Sequence, residues 1–260
     1  MPLTLFAGPP PVIAALHLPD FALSRHRSMA WLEDYALTNA RVFAEAGIPW
    51  MKLQDQTRCD GPAAPETLAI MAALARLIRR ELPGLGLGII VEAHDPVAAL
   101  SVAHAAGADF VRLKVFVGGA MTAQGPRHGL GARAVAHRAA LGAEVAILAD
   151  VHDRTSVPLS SESQPMAAEW AAKTGADGLI VTGADMADTL ARIAAVRAAG
   201  VRRPVLVGGS VTAANVAEAL AGADGVIVSS ALMRKGAGPE DLLRWDAALC
   251  RQFIEAAQTR

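Results

Sequence analysis

The sequence predicts a closed (β/α)8 TIM barrel, on three observations. Eight short apolar runs punctuate the chain, helical patterns separate them, and polar residues fall at alternate positions in most of the runs. Polar residues two apart point to one face of a strand. The length, 260 residues, is close to that of such a barrel and allows a large core. Eight β–α units suit a closed barrel better than an open doubly wound sheet. No linker interrupts residues 1–260, which are read as one domain.

The runs lie at residues 12–17, 50–54, 89–94, 110–114, 147–152, 179–182, 205–209 and 226–230. Ser28 caps the first helix, which ends near Ala46-Gly47. Pro65-Glu66 opens the second, which stops at Pro83-Gly84; Pro96 opens the third, closed by Gly107. A long segment, 118–131, precedes the fourth, which ends near Gly142. Ser163 or Gln164, with Pro165, opens the fifth, and Gly175 closes it. The sixth runs from about Asp188 to Ala199, Thr212 caps the seventh, and Pro239 opens the last. Pro in the first turn and Gly just past the end are the expected boundaries. Ala-Gly-Ala-Asp at 106–109 and 221–224, and Thr-Gly-Ala-Asp at 174–177, each precede a strand. One helix-to-strand joint is used three times.

With 53% hydrophobic and 19% charged residues, the chain is not a disordered one. A net charge of -1 and the lack of a basic run argue against capture of nucleic acid or an anionic membrane. No apolar stretch reaches membrane-spanning length, and the start of the chain, with Pro9, Pro10 and Pro11, does not read as a signal peptide. Cys59 and Cys250 make neither a disulfide framework nor a metal-binding pair. The expectation is a reduced, cytoplasmic protein whose partner is a small anionic metabolite, with self-association into a homo-oligomer left open.

The inward polar positions carry the chemistry. They are His17 on the first run, Lys52 and Gln54 on the second, and Glu92 and His94 on the third. Arg112 and Lys114 follow on the fourth, Asp150 and His152 on the fifth, and Thr182 on the sixth. A barrel interior is otherwise filled by apolar layers. Charges there are costly unless paired or hydrated, so a purely structural ion network is the plain alternative to a site. Three chemistries fit. A lysine among cations suits Schiff-base or general-base work; Lys52 and Lys114 qualify, and Lys114 is favoured because Arg112 is its same-face neighbour. Asp150 and His152 suit an acid/base pair, with Glu92 and Arg112 completing the catalytic set. His17, Glu92, His94, Asp150 and His152 have metal-ligand identities, although the cations on the same rim oppose a divalent ion. No organic cofactor is expected.

Gly208-Gly209-Ser210 and Ser229-Ser230 end the last two runs. Loops after the seventh and eighth strands of such barrels often bind phosphate through backbone N–H groups. These residues, with His17, Gln54, His94 and Thr182, form the expected binding set. The segment at 118–125 sits on the same rim and, with its glycines, is expected to act as a lid. Cys59, a lone rim thiol, is a weak candidate nucleophile.

The segments VIAALHLP at 12–19, ADFVRLKVFVGGAMTAQG at 108–125, ILADVH at 147–152, ADGLIVTG at 176–183, VLVGGSVTAANV at 205–216 and ADGVIVSSALMRKG at 223–236 resemble the BtpA family, whose members resemble ribulose-phosphate-binding barrels. The resemblance places His17, Arg112, the 118–125 loop, Asp150, His152 and Thr182 at the site. The chain departs from the family pattern at Gln54-Asp55, where Glu-Asn is usual. It departs again at Ala93-His94-Asp95, Lys114, Arg154-Thr155 and Ser229-Ser230, which implies a different substrate. The expected function is an enzyme acting on a small phosphorylated or carboxylated metabolite by lyase, aldolase-like, isomerase or glycosidic-cleavage chemistry. The rival is a non-catalytic assembly or regulatory factor that keeps a metabolite-binding barrel, since the family takes its name from a link to photosystem I accumulation.

Overall fold

Strands buried on both faces, each followed by an amphipathic helix, close into a barrel because every sheet edge is then paired. The computed structural model describes residues 4–21, 23, 26–59 and 61–259. Its strands are β1 (Val12–His17), β2 (Trp50–Gln54), β3 (Gly86–Ile90), β4 (Phe110–Leu113), β5 (Gly119–Thr122), β6 (Gly125–His128), β7 (Ala146–Asp150), β8 (Val157–Pro158), β9 (Gly178–Val181), β10 (Val205–Val207) and β11 (Gly225–Val228). Eight of them close a barrel of parallel strands in the order β1-β11-β10-β9-β7-β4-β3-β2. The helices are α1 (Met29–Glu45), α2 (Pro65–Glu81), α3 (Pro96–Ala106), α4 (Gly131–Leu141), α5 (Gln164–Thr174), α6 (Met186–Ala198), α7 (Val216–Gly222) and α8 (Ala247–Gln258). No described helix is long and apolar enough to cross a membrane.

The predicted starts hold at α1, α3 and α5: Ser28 and Ser163 accept backbone N–H groups as expected, and Pro96 opens α3 behind Asp95, a cap outside the expected set. Several boundaries differ. β4, β7 and β9 end at Leu113, Asp150 and Val181, so Lys114, His152 and Thr182 lie just beyond their strands. The third strand ends at Ile90, so Glu92 and His94 lie on the rim loop; Val91 and Ala93 are buried there, and an apolar run does not tell strand from buried loop. The sixth helix starts at Met186 behind an Asp185 cap. The seventh starts at Val216, because Asn215 Oδ1 accepts the Thr212 N–H at 2.7 Å and closes a turn first. Pro239 does not open the last helix; Asp246 caps α8 instead.

The repeated joint is a clasp at the N-terminal end of the barrel. Asp109 accepts the Leu87 N–H of β3 at 2.8 Å and pairs with Arg79 of α2. Asp177 accepts the Ile147 N–H of β7 at 2.9 Å and pairs with Arg138 of α4. Asp224 accepts the Val205 N–H of β10 at 2.8 Å and pairs with Arg197 of α6 at 3.0 Å. Each aspartate thus ties its own strand to the preceding strand and to the helix leading into it.

The barrel interior is plugged from below. Leu5, Ile13, Phe110, Ala146, Leu148, Ile180, Leu206 and Ile227 form one apolar cluster, with Phe6 and Trp50 against it. Room for the two large rings comes from β3: a Cβ on Gly86 would stand 1.9 Å from the Trp50 ring, and one on Gly88 2.1 Å from the Phe110 ring. A second, larger core lies between barrel and helices. The apolar plug leaves only the C-terminal ends of the strands for polar groups.

The segment at 118–125 is a built hairpin rather than a loose lid. Strands β6, β5 and β8 form an antiparallel sheet in that order, with β8 supplied by the loop after β7.

Candidate active site

Above the plug, the inward side chains turn polar. They line a cavity of about 360 Å³ that includes His17, Lys52, Gln54, Arg112, Lys114, Thr182, Gly208, Gly209, Ser210, Ser229 and Ser230. The strand phase explains the set: each residue continues the inward positions of its own strand, or lies in the loop that follows. A larger hollow, about 810 Å³, opens at the other end of the barrel beside Pro10, Pro11, Arg202 and Arg203. The one carboxylate among its described lining residues, Asp224, is already committed to a clasp.

Two of the cations are neutralised. Arg112 Nε and Nη2 donate to Asp150 at 2.7 and 2.6 Å. Burial pushes the Asp150 carboxyl up while Arg112 pulls it down. Arg112 is buried too, yet Asp150 holds it above its ordinary value. Lys114, the lysine that strand phase favours as the amine, instead donates to both Glu92 oxygens at 3.0 Å and is committed to an ion pair.

Lys52 is different. It is 3% exposed, donates to Gln54 Oε1, and belongs to no ion pair found among the described residues. Burial, and then the charge of Arg112, push its ammonium group well below the usual lysine range. Beside it, burial and the charge of Lys52 bring His17 down to about 3, so this imidazole is neutral. The Tyr35 hydroxyl donates to the His17 carbonyl at 2.8 Å and fixes the end of β1.

The opposite wall is the glycine- and serine-rich one. A Cβ on Gly208 would stand 2.2 Å from Thr182 Oγ1, so glycine is what lets this loop lie against the loop after β9. Ser210 has φ of 61°, and Arg154 Nη1 donates to its Oγ at 2.9 Å. Arg154, Asp153, Thr155 and Thr212 all line the cavity, though the interior-face pattern does not find them. Arg154 was legible only as a departure from the family pattern. Asp55, too, was legible only as such a departure; it is fully buried and accepts the Glu92 and Thr57 N–H groups at 2.6 and 3.2 Å. Burial raises its carboxyl to about 7.

Four expected site residues do not reach the cavity. Glu92 stands behind Gln54 and Lys114, and Asp150 behind Arg112. His94 Nε2 lies 2.7 Å from the His128 carbonyl oxygen. His152, at φ of 54°, turns toward Glu162 at 3.5 Å. Both help line a separate chamber of about 20 Å³ with Asp150 and Ala120. The rim sheet borders that chamber, and no residue of 118–125 lines the main cavity. The expected ligands His17, Glu92, His94, Asp150 and His152 therefore do not converge. Among the described residues, no group of three or more His, Cys, Asp or Glu side chains is placed to hold a metal. The Cys59 carbonyl accepts Arg127 Nη2 at 3.1 Å, and Cys59 is not part of the cavity wall.

Fold and site define a TIM barrel with a polar mouth at the C-terminal ends of its strands, where enzymes of this architecture keep their active sites. The chain matches the BtpA family over residues 9–259 and belongs to it. It is 31% identical over 229 residues to an uncharacterized protein of Pyrococcus horikoshii, covering 85% of this chain and 86% of that one. It is 28% identical over 253 residues to the photosystem I biogenesis protein BtpA of Synechocystis, covering 95% and 87%. Among solved structures it is similar to KGPDC from Streptococcus mutans, with a TM-score of 0.59, 13% identity, and coverage of 96% and 98%. It is likewise similar to phosphoribosyl anthranilate isomerase from Thermococcus kodakaraensis, with a TM-score of 0.53, 15% identity, and coverage of 96% and 99%. At these identities the structural likeness shows the fold alone.

Proposed function

We propose that this protein is an enzyme for a small phosphorylated or carboxylated carbonyl compound, acting by aldolase-like, lyase or isomerase chemistry with Lys52 as the amine. The observation that carries the reading is a buried lysine without an ion-pair partner among the described residues, facing a Gly-Ser wall across a cavity of about 360 Å³. A neutral amine is the nucleophile that imine formation requires. The nitrogen adds to the carbonyl carbon, its two protons leave with the oxygen as water, and a C=N bond remains. The imine nitrogen, once protonated, draws electrons from the neighbouring carbon–carbon or carbon–hydrogen bond. Gly208, Gly209, Ser210, Ser229 and Ser230 hold the anionic end, Arg154 supplies charge there, and Arg112 orients the middle. Asp150 acts on the substrate through Arg112, as the residue that holds it in place. A scaffold protein has no use for a buried amine that weakens the fold, which favours this reading over an assembly factor.

The test is reductive trapping. Borohydride added with a short phosphorylated aldehyde or ketone should leave one adduct, on Lys52, and the unphosphorylated analogue should react far more slowly. Equal labelling of surface lysines, with none on Lys52, would sink the proposal.

A further inference from the structure

Gln54 occupies the last inward position of β2, two residues beyond Lys52. Its Nε2 donates to Glu92 Oε1 at 2.6 Å. Both Glu92 oxygens accept from Lys114 and Lys52 can only donate, so the amide nitrogen faces Glu92 and the amide oxygen faces Lys52. Lys114 holds the same carboxylate at 3.0 Å, and Arg58 lies 3.4 Å from it. We propose that Gln54 is a positioning residue: it stands between Lys52 and Glu92, withholds the carboxylate from the lysine, and keeps the amine turned to the cavity.

The hydrogen bonds around the amine support this. An ammonium group has three N–H donors to satisfy, and Gln54 Oε1 is the acceptor that meets it. A neutral amine can make the same bond and still present its lone pair. The charged groups around Lys52 agree. Arg112 on β4 and Lys114 just beyond it repel an added proton. Glu92 after β3 and Asp150 on β7 attract one, but each is tied to a cation of its own. His17 on β1 is neutral.

The inference rests on the proposed role of Lys52, and the experiment separates the two. Pyridoxal 5′-phosphate, a carbonyl compound with a phosphate, is reduced onto the protein with borohydride across a range of pH, and labelling of Lys52 is followed by peptide mass spectrometry. Wild type should label at neutral pH, with a midpoint well below that of free lysine. Gln54→Glu places a carboxylate on the amine and should raise the midpoint by about one unit or more, slowing labelling at neutral pH about tenfold. Gln54→Met, which removes the amide that stands between Lys52 and Glu92, should raise it too and serves if the glutamate variant does not fold. If folded variants keep the wild-type midpoint, Gln54 has no positioning role and the Lys52 reading stands. If wild-type Lys52 labels only in the free-lysine range, both ideas fall.

Discussion

Arg154 reaches from the loop after β7 to the loop after β10 and donates to Ser210 Oγ at 2.9 Å. The contact crosses the mouth, and a Cβ on Gly209 would stand 3.6 Å from the same guanidinium. An anion seated on this loop would meet the arginine directly.

Arg154→Ala should therefore weaken inorganic phosphate about tenfold, the size of one lost charge-assisted hydrogen bond. The measure is the rise in Tm with phosphate, which follows mass action. A rise equal to that of wild type would remove Arg154 from the anion site.

Lys52→Met should leave the protein at least as stable as wild type while removing the reductive adduct. A buried amine without an ion-pair partner costs the fold, whereas methionine fills similar space without a polar atom. A clear loss of stability on thermal or urea unfolding would mean that Lys52 is a structural partner.

His17 should give stability a pH dependence whose sign follows from its burial. Its folded pKa, about 3, lies below the ordinary 6.5, so the unfolded chain binds the proton more readily. Stability should fall as pH falls from about 6.5 towards 3. Asp55, raised to about 7 from 3.8, has the opposite sign: its contribution is lost as pH rises from about 4 to 7. Melting curves of His17→Asn should show a flatter acid limb than wild type, and Asp55→Asn should cost more stability at acid pH than above pH 7. Parallel curves for all three proteins would contradict both assignments.

Asp177→Ala cuts the clasp between β9, β7 and α4, leaving the Ile147 N–H without its acceptor. A loss of about 1–3 kcal/mol is expected, seen as a lower urea midpoint with an unchanged slope. A midpoint within error of wild type would reduce the repeated joint to a turn signal.

Gly88→Ala should cost about 1–3 kcal/mol, because the added methyl would overlap the Phe110 ring and the plug has no slack. Gly84→Ala, in the turn before β3 where a Cβ meets nothing within 4 Å and the backbone is not left-handed, is the control for the added methyl alone. Equal losses would show that ring packing is not the cause.

The barrel was legible because each strand is buried on both faces and its ends are marked by Gly, Pro or a capping side chain. Glu92 was misplaced by the length of the apolar run after Gly88, where Val91 and Ala93 bury in a loop. The cavity wall was legible wherever strand phase decides it, as at His17, Lys52, Arg112 and Thr182. It was not legible where packing between distant loops decides. Arg154 meets Ser210 across 56 residues of sequence, and the amide of Gln54 is oriented by a carboxylate 38 residues away. His152 has a favourable position by phase, yet its left-handed backbone turns it into the neighbouring chamber. The Ala-Gly-Ala-Asp repeat announced a joint, but the arginines that complete the clasps carry no motif.

The rim sheet exposes Met121, Val157 and Leu159, the kind of surface that invites fibre growth when a strand edge is open beside it. Its two outer strands are β6 and β8, and each contains a proline, Pro126 and Pro158. Neither can donate an N–H to an incoming chain. The sheet is thereby barred from templating further strands, and replacing both prolines should turn a quiet surface appendage into a seed for aggregation.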